Sequence, residues 1–452
     1  MPALTEEKRP ESTTSEKYTS VKSAELLADS RADGGDTTQN GNVPGASHID
    51  APTDGGMSGW MTVMGSWLVM FSTQGYVYSF GVYQDYYTRE FLKGSSPSRI
   101  SWMGSAQLAI PFAVGIIVGK LFDAGHIRSV MIFGSVLFTF CLFMLSLAHE
   151  GHYYQVFLTQ GLGMGLGTGC LFTPVNAIIS LHFKKRRGLA YGIVLTGVSL
   201  GSMSFPIILN HVIPRMGFGP GVRVTAYMVL CCLTVGNMLI RIPVRKRNSK
   251  TPPPDIKQFF KDPAYVYFVS GSVIALLGTY FPVIYLQLYS VQHNVDKKLA
   301  FYSVAILNGT STFGRIVGNL LADYYGIWNI QIPSLLATGS LIWAVIGVND
   351  ASSLIAVSVL YGIASGAWFS LTIAGLASLA ASPTEIGART GLAFAIVSPA
   401  LLGSAPLQGA LLTREYKWIR PIAFSGAITI FSSIFYLVTR SYVAQKRRSQ
   451  KI

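Results

Sequence analysis

Charge is what this chain has least of. Only 12% of its 452 residues are Asp, Glu, Lys or Arg, against about a quarter in ordinary soluble domains. Beside 50% hydrophobic residues, that shortage excludes a water-soluble globular protein. Cysteine is scarcer still. Cys141, Cys170, Cys231 and Cys232 all fall within apolar stretches, without partners at metal-ligand spacing. They read as small buried hydrophobes, so neither a disulfide framework nor a metal site is expected. Acids inside the apolar segments are also lacking. Beyond the N-terminal tail each one lies in a loop or at a segment end: Asp85, Glu90, Asp123, Glu150, Asp255, Asp262, Asp296, Asp323, Asp350, Glu385 and Glu415. Paired carboxylates, a His/Cys metal constellation and a serine with a nearby base are all missing. His182, His211 and His293 are scattered at loops and segment ends. These absences argue against an enzyme, and no catalytic residue or cofactor is expected.

What the chain has in abundance is apolar runs of about twenty residues, each long enough for roughly 30 Å of hydrocarbon. They fall near 59–83, 100–122, 129–147, 154–180, 189–209, 222–242, 264–288, 299–322, 328–348, 354–378, 390–412 and 419–439. The expected fold is therefore an all-α membrane protein with twelve transmembrane helices. The one long connection, basic and carrying Pro252-Pro253-Pro254, divides them six and six. The implied organisation is a tail (1–56), a six-helix bundle (57–242), a linker (243–262), a second bundle (263–440) and a basic tail (441–452). The first tail has ten acids against five Lys and Arg. It has too little apolar surface to offset chain entropy, so it reads as disordered. Without a signal-peptide core there, span one is expected to act as the targeting signal.

Lys and Arg set the orientation. With the N-terminus inside, the cytoplasmic turns and C-terminal tail hold about twenty of them and the other side about ten. Both termini are therefore expected in the cytosol, with the plasma membrane as the expected location. Lys184-Lys185-Arg186-Arg187, wedged between two spans, reads as a topology signal contacting anionic lipid, not as a nucleic-acid patch. The run Gly161-Leu-Gly163-Met-Gly165-Leu-Gly167-Thr-Gly169 lacks the strand and acid of a dinucleotide site. Inside a membrane it lets helices approach closely.

The chain also repeats itself about two hundred positions on. Arg187-Gly188-Leu189-Ala190-Tyr191-Gly192-Ile193-Val194 returns as Arg389-Thr390-Gly391-Leu392-Ala393-Phe394-Ala395-Ile396-Val397, and Gly119-x3-Asp123 returns as Gly318-x4-Asp323. Duplicated halves of membrane-length helices mark secondary transporters. The Gly119 to Asp123 and Gly318 to Asp323 turns are expected to hold the cytoplasmic side shut, their acids pairing with loop arginines or capping helix N-termini.

One cation breaks the apolar pattern. Arg315 lies in span eight, some eight residues before Asp323, which is roughly 12 Å from the cytoplasmic end. Ionisable groups at such depth are costly and mark functional sites. Ser311 and Asn308 share its helical face, so the three form a candidate carboxylate clamp. Tyr76 and Tyr78 of span one, with Tyr280 of span seven, offer stacking faces for a ring-bearing substrate. Tyr83 and Tyr285 are expected to face lipid or the interface. Pro206, Pro282, Pro399 and Pro406 are expected to kink their helices.

Several motifs carry a family resemblance. Asp54-Gly55-Gly56 followed by Trp60 resembles the acidic-Gly-Gly-aromatic motif that opens span one in the monocarboxylate porter family of the major facilitator superfamily. His182-Phe183-Lys184-Lys185-Arg186-Arg187-Gly188-Leu189-Ala190-Tyr191-Gly192 resembles that family's second signature. Gly119-x3-Asp123-x-Gly125-x-x-Arg128 is similar to the superfamily's loop motif after span two, and Gly314-Arg315-Ile316-Val317-Gly318-Asn319 resembles the fungal branch. The resemblance implies two six-helix bundles rocking about a central site for a small molecule, a carboxylate in many members and often accompanied by a proton. Tyr78 stands where animal members carry a lysine, and Ser311 where they carry an aspartate. The expected function is secondary transport of a small organic acid or related metabolite. Export of a fungal secondary metabolite, or riboflavin-like vitamin transport, is the alternative. A membrane nutrient sensor is the reading without transport. The drug-antiporter signature of span five is absent; Gly192, Gly197, Gly201 and Pro206 stand there at wider gaps.

Overall fold

A computed structural model describes residues 55–242, 256–293, 295–380, 385–412, 417–447 and 449. The expectations for most of the N-terminal tail, Asp54, linker residues 243–255, Glu415 and the end of the C-terminal tail lie outside the described residues.

Everything regular among the described residues is helical, and it forms twelve membrane-length units. Span one is segmented into Met57–Ser72, Gln74–Val77 and Phe80–Tyr86 and ends in a π-helical turn, Tyr87–Phe91. Span two joins Pro97–Ala113 to Gly115–Asp123, and span three is Ile127–Leu145. Span four runs through Tyr153–Val156, a π-helical stretch Phe157–Gly163 and Met164–His182. Spans five and six are Arg187–Met216 and Phe218–Leu239. A short helix, Ile256–Phe259, leads to span seven, Pro263–Thr279 with Phe281–Gln292. Spans eight to twelve are Lys297–Tyr325, Ile327–Ala344 with the turn Val345–Gly347, Ala351–Ser378, Ile386–Leu412 and Ile419–Arg447. Ten of the twelve are each long and apolar enough to cross a bilayer. The other two are span one, which is broken, and span eight, which carries Lys297, Lys298, Arg315 and Asp323.

Local chemistry explains the punctuation. Gly125 (φ 90°) and Gly326 (φ 98°) turn the chain after spans two and eight in a left-handed conformation that a Cβ opposes. Asp296 accepts from the Leu299 N–H at 3.0 Å and caps span eight, while Asp350 and Ser353 cap span ten reciprocally. Spans five and eleven stay continuous through Pro206, Pro214, Pro399 and Pro406. Other spans are interrupted at Thr73, Tyr78–Ser79, Val114 and Tyr280. Only the last lies beside a flagged proline, Pro282.

The two six-helix bundles meet along spans five and eight and along spans two and eleven. Those seams are lined with small residues. A Cβ on Gly119 or Gly391 would collide with the Gly387 or Gly115 carbonyl, and one on Gly192 would meet the Arg315 carbonyl at 2.7 Å. Such backbone approach is what glycine permits in a membrane interface.

Candidate functional site

Between the bundles lies a cavity lined from spans one, two, four, five, seven, eight, ten and eleven. Its walls are mostly aromatic and aliphatic. Phe112 and Phe172 of the first bundle meet Phe394 of the second at ring distances of 5.3 and 5.2 Å. Trp368 and Phe369 of span ten and Phe268 of span seven add further rings. On span seven the lining runs from Phe268 to Tyr280, about 18 Å of helix.

Against this apolar wall stand a few polar groups. Arg315 is the one charged residue in the lining, and its Nε is buried with no hydrogen-bond partner. Tyr78 and Tyr280 share a hydrogen bond of 3.1 Å from one bundle to the other, and both phenols are within electrostatic reach of the guanidinium. The two tyrosines are separated by 202 residues, the spacing of Arg187 and Arg389, and each sits at a break in its helix. They are equivalent positions in the duplicated halves. Broken helices at a repeat interface are how transporter folds expose polar groups at mid-membrane. Gln74, at the break after Thr73, also lines the cavity, and its Oε1 is buried without a partner.

The structure separates the residues expected to bind substrate. Arg315 and Tyr78 line the cavity. Ser311 faces the bundle seam instead and shares a 2.6 Å hydrogen bond with Ser199 of span five. Asn308 is buried and lies outside the lining. Tyr76 turns into the first bundle, where its hydroxyl meets Tyr83 and the Thr225 hydroxyl, the latter at 3.1 Å. Tyr83 is wholly buried in that cluster rather than facing lipid. Tyr285 is half-buried and donates to the Ala405 carbonyl at 3.1 Å. Gln74, Trp368 and Phe268 were missed. A glutamine within an apolar stretch, four residues before Tyr78, was the available signal for the first.

The basic end of the molecule is closed by two equivalent devices. Asp123, at the end of span two, accepts from the Gly387 and Ala388 N–H groups at the start of span eleven, at 3.1 and 2.7 Å. Asp323, near the end of span eight, accepts from the Gly188 and Leu189 N–H groups at the start of span five, at 3.0 and 2.9 Å. Each carboxylate thus caps a helix of the other bundle, where the macrodipole favours it. Gly119 lets span two reach Gly387. The arginines act elsewhere. Arg389 bonds Asp262 at 2.9 Å and Glu385 at 3.2 Å and lies over the Phe259 and Tyr265 rings, tying the linker helix to span eleven. Arg128 donates to the Asn237 and Ile240 carbonyls inside the first bundle. Arg187 keeps a buried Nη1 with no partner. No grouping of His, Cys, Asp and Glu able to hold a metal occurs among the described residues.

Residues 56–398 match the Major Facilitator Superfamily. The chain belongs to that superfamily and is a membrane transporter. It is 35% identical to the MFS transporter asaE of Aspergillus flavus, over 86% of this chain and 88% of the relative. It is likewise 35% identical to the fujikurins efflux protein of Gibberella fujikuroi, over 89% of this chain and 86% of the relative. Among solved structures it resembles the fucose transporter FucP in the outward conformation, with a TM-score of 0.64 over 84% of this chain and 98% of that one. At 14% identity that likeness establishes the fold alone.

Proposed function

We propose that this transporter exports a fungal secondary metabolite, an apolar ring-bearing molecule with an acidic group, by alternating access of the central cavity. The carrying observation is an aromatic cavity around one arginine whose Nε is unpaired. An arginine at mid-membrane costs about 2.5–3.5 kcal/mol or more, and a substrate anion offsets that cost by supplying bidentate acceptors. The aromatic walls offer stacking faces for a scaffold larger than a two- or three-carbon acid. The small-carboxylate reading of the monocarboxylate porter resemblance is therefore set aside in favour of export, the direction in the name of the Gibberella relative. The basic end carrying Asp123 and Asp323 is assigned to the cytosol from its Lys and Arg, and the membrane to the plasma membrane.

Comparing metabolites inside and outside host cells, with the gene deleted and restored, tests this reading. A ring-bearing acid that accumulates in deletant cells and fades from their medium supports it. A compound left in the medium and missing from the cells replaces export by import. Substrate-dependent flux in proteoliposomes then separates transport from sensing.

A further inference from the structure

We propose that Gln74 is the second recognition point of the cavity: it holds a hydroxyl or N–H of the transported molecule while Arg315 holds its acid. The inference rests on the cavity being the transport site and narrows what that site accepts. Gln74 opens the short helix beyond the Thr73 break, is 4% exposed and lines the cavity. Its Oε1 accepts nothing.

The two polar residues just before it are satisfied internally. Thr73 donates to the Val69 carbonyl at 2.6 Å, and Ser72 to the Leu68 carbonyl at 2.8 Å. Of the other buried glutamines, Gln160 accepts from Tyr87, while Gln331 and Gln408 donate to Thr372 and to the Leu277 carbonyl but leave Oε1 unused. Gln107 has neither amide atom paired, and Gln107, Gln331 and Gln408 all lie outside the cavity lining. Gln74 alone among these glutamines combines an unused acceptor with a place on the cavity wall. A buried amide left unpaired is unfavourable, and a ligand that completes it gains what the empty site lacks.

The two unused groups are complementary in kind and come from different bundles. Span one presents an acceptor at Gln74, and span eight presents a donor at Arg315. A ring-bearing acid with a hydroxyl or N–H on another edge satisfies both at once and draws the two halves together. An acid without the donor leaves Gln74 orphaned. A site built to hydrogen-bond a substrate group discriminates against analogues lacking it more sharply than an apolar pocket does.

The test uses the full-length protein in lipid nanodiscs, with binding read from the anisotropy of the probes' own fluorescence. The probes are 2-naphthoic acid and hydroxy-2-naphthoic acids with the hydroxyl walked around the second ring. At least one isomer should bind about tenfold more tightly than 2-naphthoate, the scale of one buried hydrogen bond. Gln74→Leu and Gln74→Met should each erase that advantage, bringing the favoured isomer to the affinity of 2-naphthoate in the same variant. Arg315→Gln should weaken every acid and keep the hydroxyl advantage. An advantage that survives both Gln74 variants, or no favoured isomer at all, overturns the proposal. If 2-naphthoate fails to bind the wild type, the acid-site reading falls and the Gln74 assignment falls with it. If Arg315→Gln leaves acid binding unchanged while the Gln74 variants erase the hydroxyl advantage, the acid reading falls and Gln74 stands.

Discussion

Arg315 and the Tyr78–Tyr280 pair put the proposed chemistry in reach of direct tests. Arg315→Ala removes the one charge in the cavity lining and should lower transport of an anionic substrate by about ten- to a hundredfold, the range for hydrogen bonds to a charged group. Arg315→Lys keeps the charge without the planar fork and should recover only part of that loss. Surface expression measured alongside flux separates a transport defect from a folding one; unchanged flux in Arg315→Ala would make the arginine structural. The tyrosines share one hydrogen bond, so their loss should be non-additive. Tyr78→Phe and Tyr280→Phe should each alter the transport rate, and the double variant should resemble either single one. Additive effects would show that the two phenols act independently. Arg315 was legible in the sequence because a charge inside an apolar run needs a reason. Ser311 and Asn308 were placed with it because helical periodicity fixes direction. It does not fix reach: the short Ser311 side chain stops at the seam with span five, while the long guanidinium extends to the cavity.

Helix breaks explain why other cavity residues were hard to read. A helical wheel for span one assumes an unbroken helix, but the chain is interrupted at Thr73 and again at Tyr78–Ser79. Tyr76 therefore turns into the first bundle, and Gln74 is brought to the cavity. The cap of span ten gives a pH test. Ser353 donates to the Asp350 carboxylate through its hydroxyl and its N–H, holding this exposed acid below the usual carboxylate range. A depressed acid contributes stability that is present above its unfolded value, near 4, and is lost as pH falls through the lower folded value. Asp350→Ala should lower the thermal midpoint at pH 7, with the difference from wild type shrinking below about pH 4. A difference independent of pH would assign the effect to lost packing.

At the scale of the whole molecule, the duplication carries the mechanism. Twelve spans and two related halves were readable because bilayer thickness sets segment length and a repeat keeps its register. The cavity was not readable, because it forms only where both halves converge. Asp123 and Asp323 close the basic end at two equivalent points, whereas Ser199 and Ser311 meet near the middles of spans five and eight. If the bundles rock, the ends must part while the middle of the seam stays close. Two engineered disulfides, each placed in a chain whose four native cysteines are replaced by alanine, should then behave differently. Asp123→Cys with Ala388→Cys pins the basic end and should stop transport until a reductant is added. Ser199→Cys with Ser311→Cys pins the proposed pivot and should leave most of the flux intact. Flux in proteoliposomes before and after reduction, with each cross-link verified by mass spectrometry, decides between the two geometries. A block at both positions would place the moving surface along the whole seam and discard a pivot at Ser199.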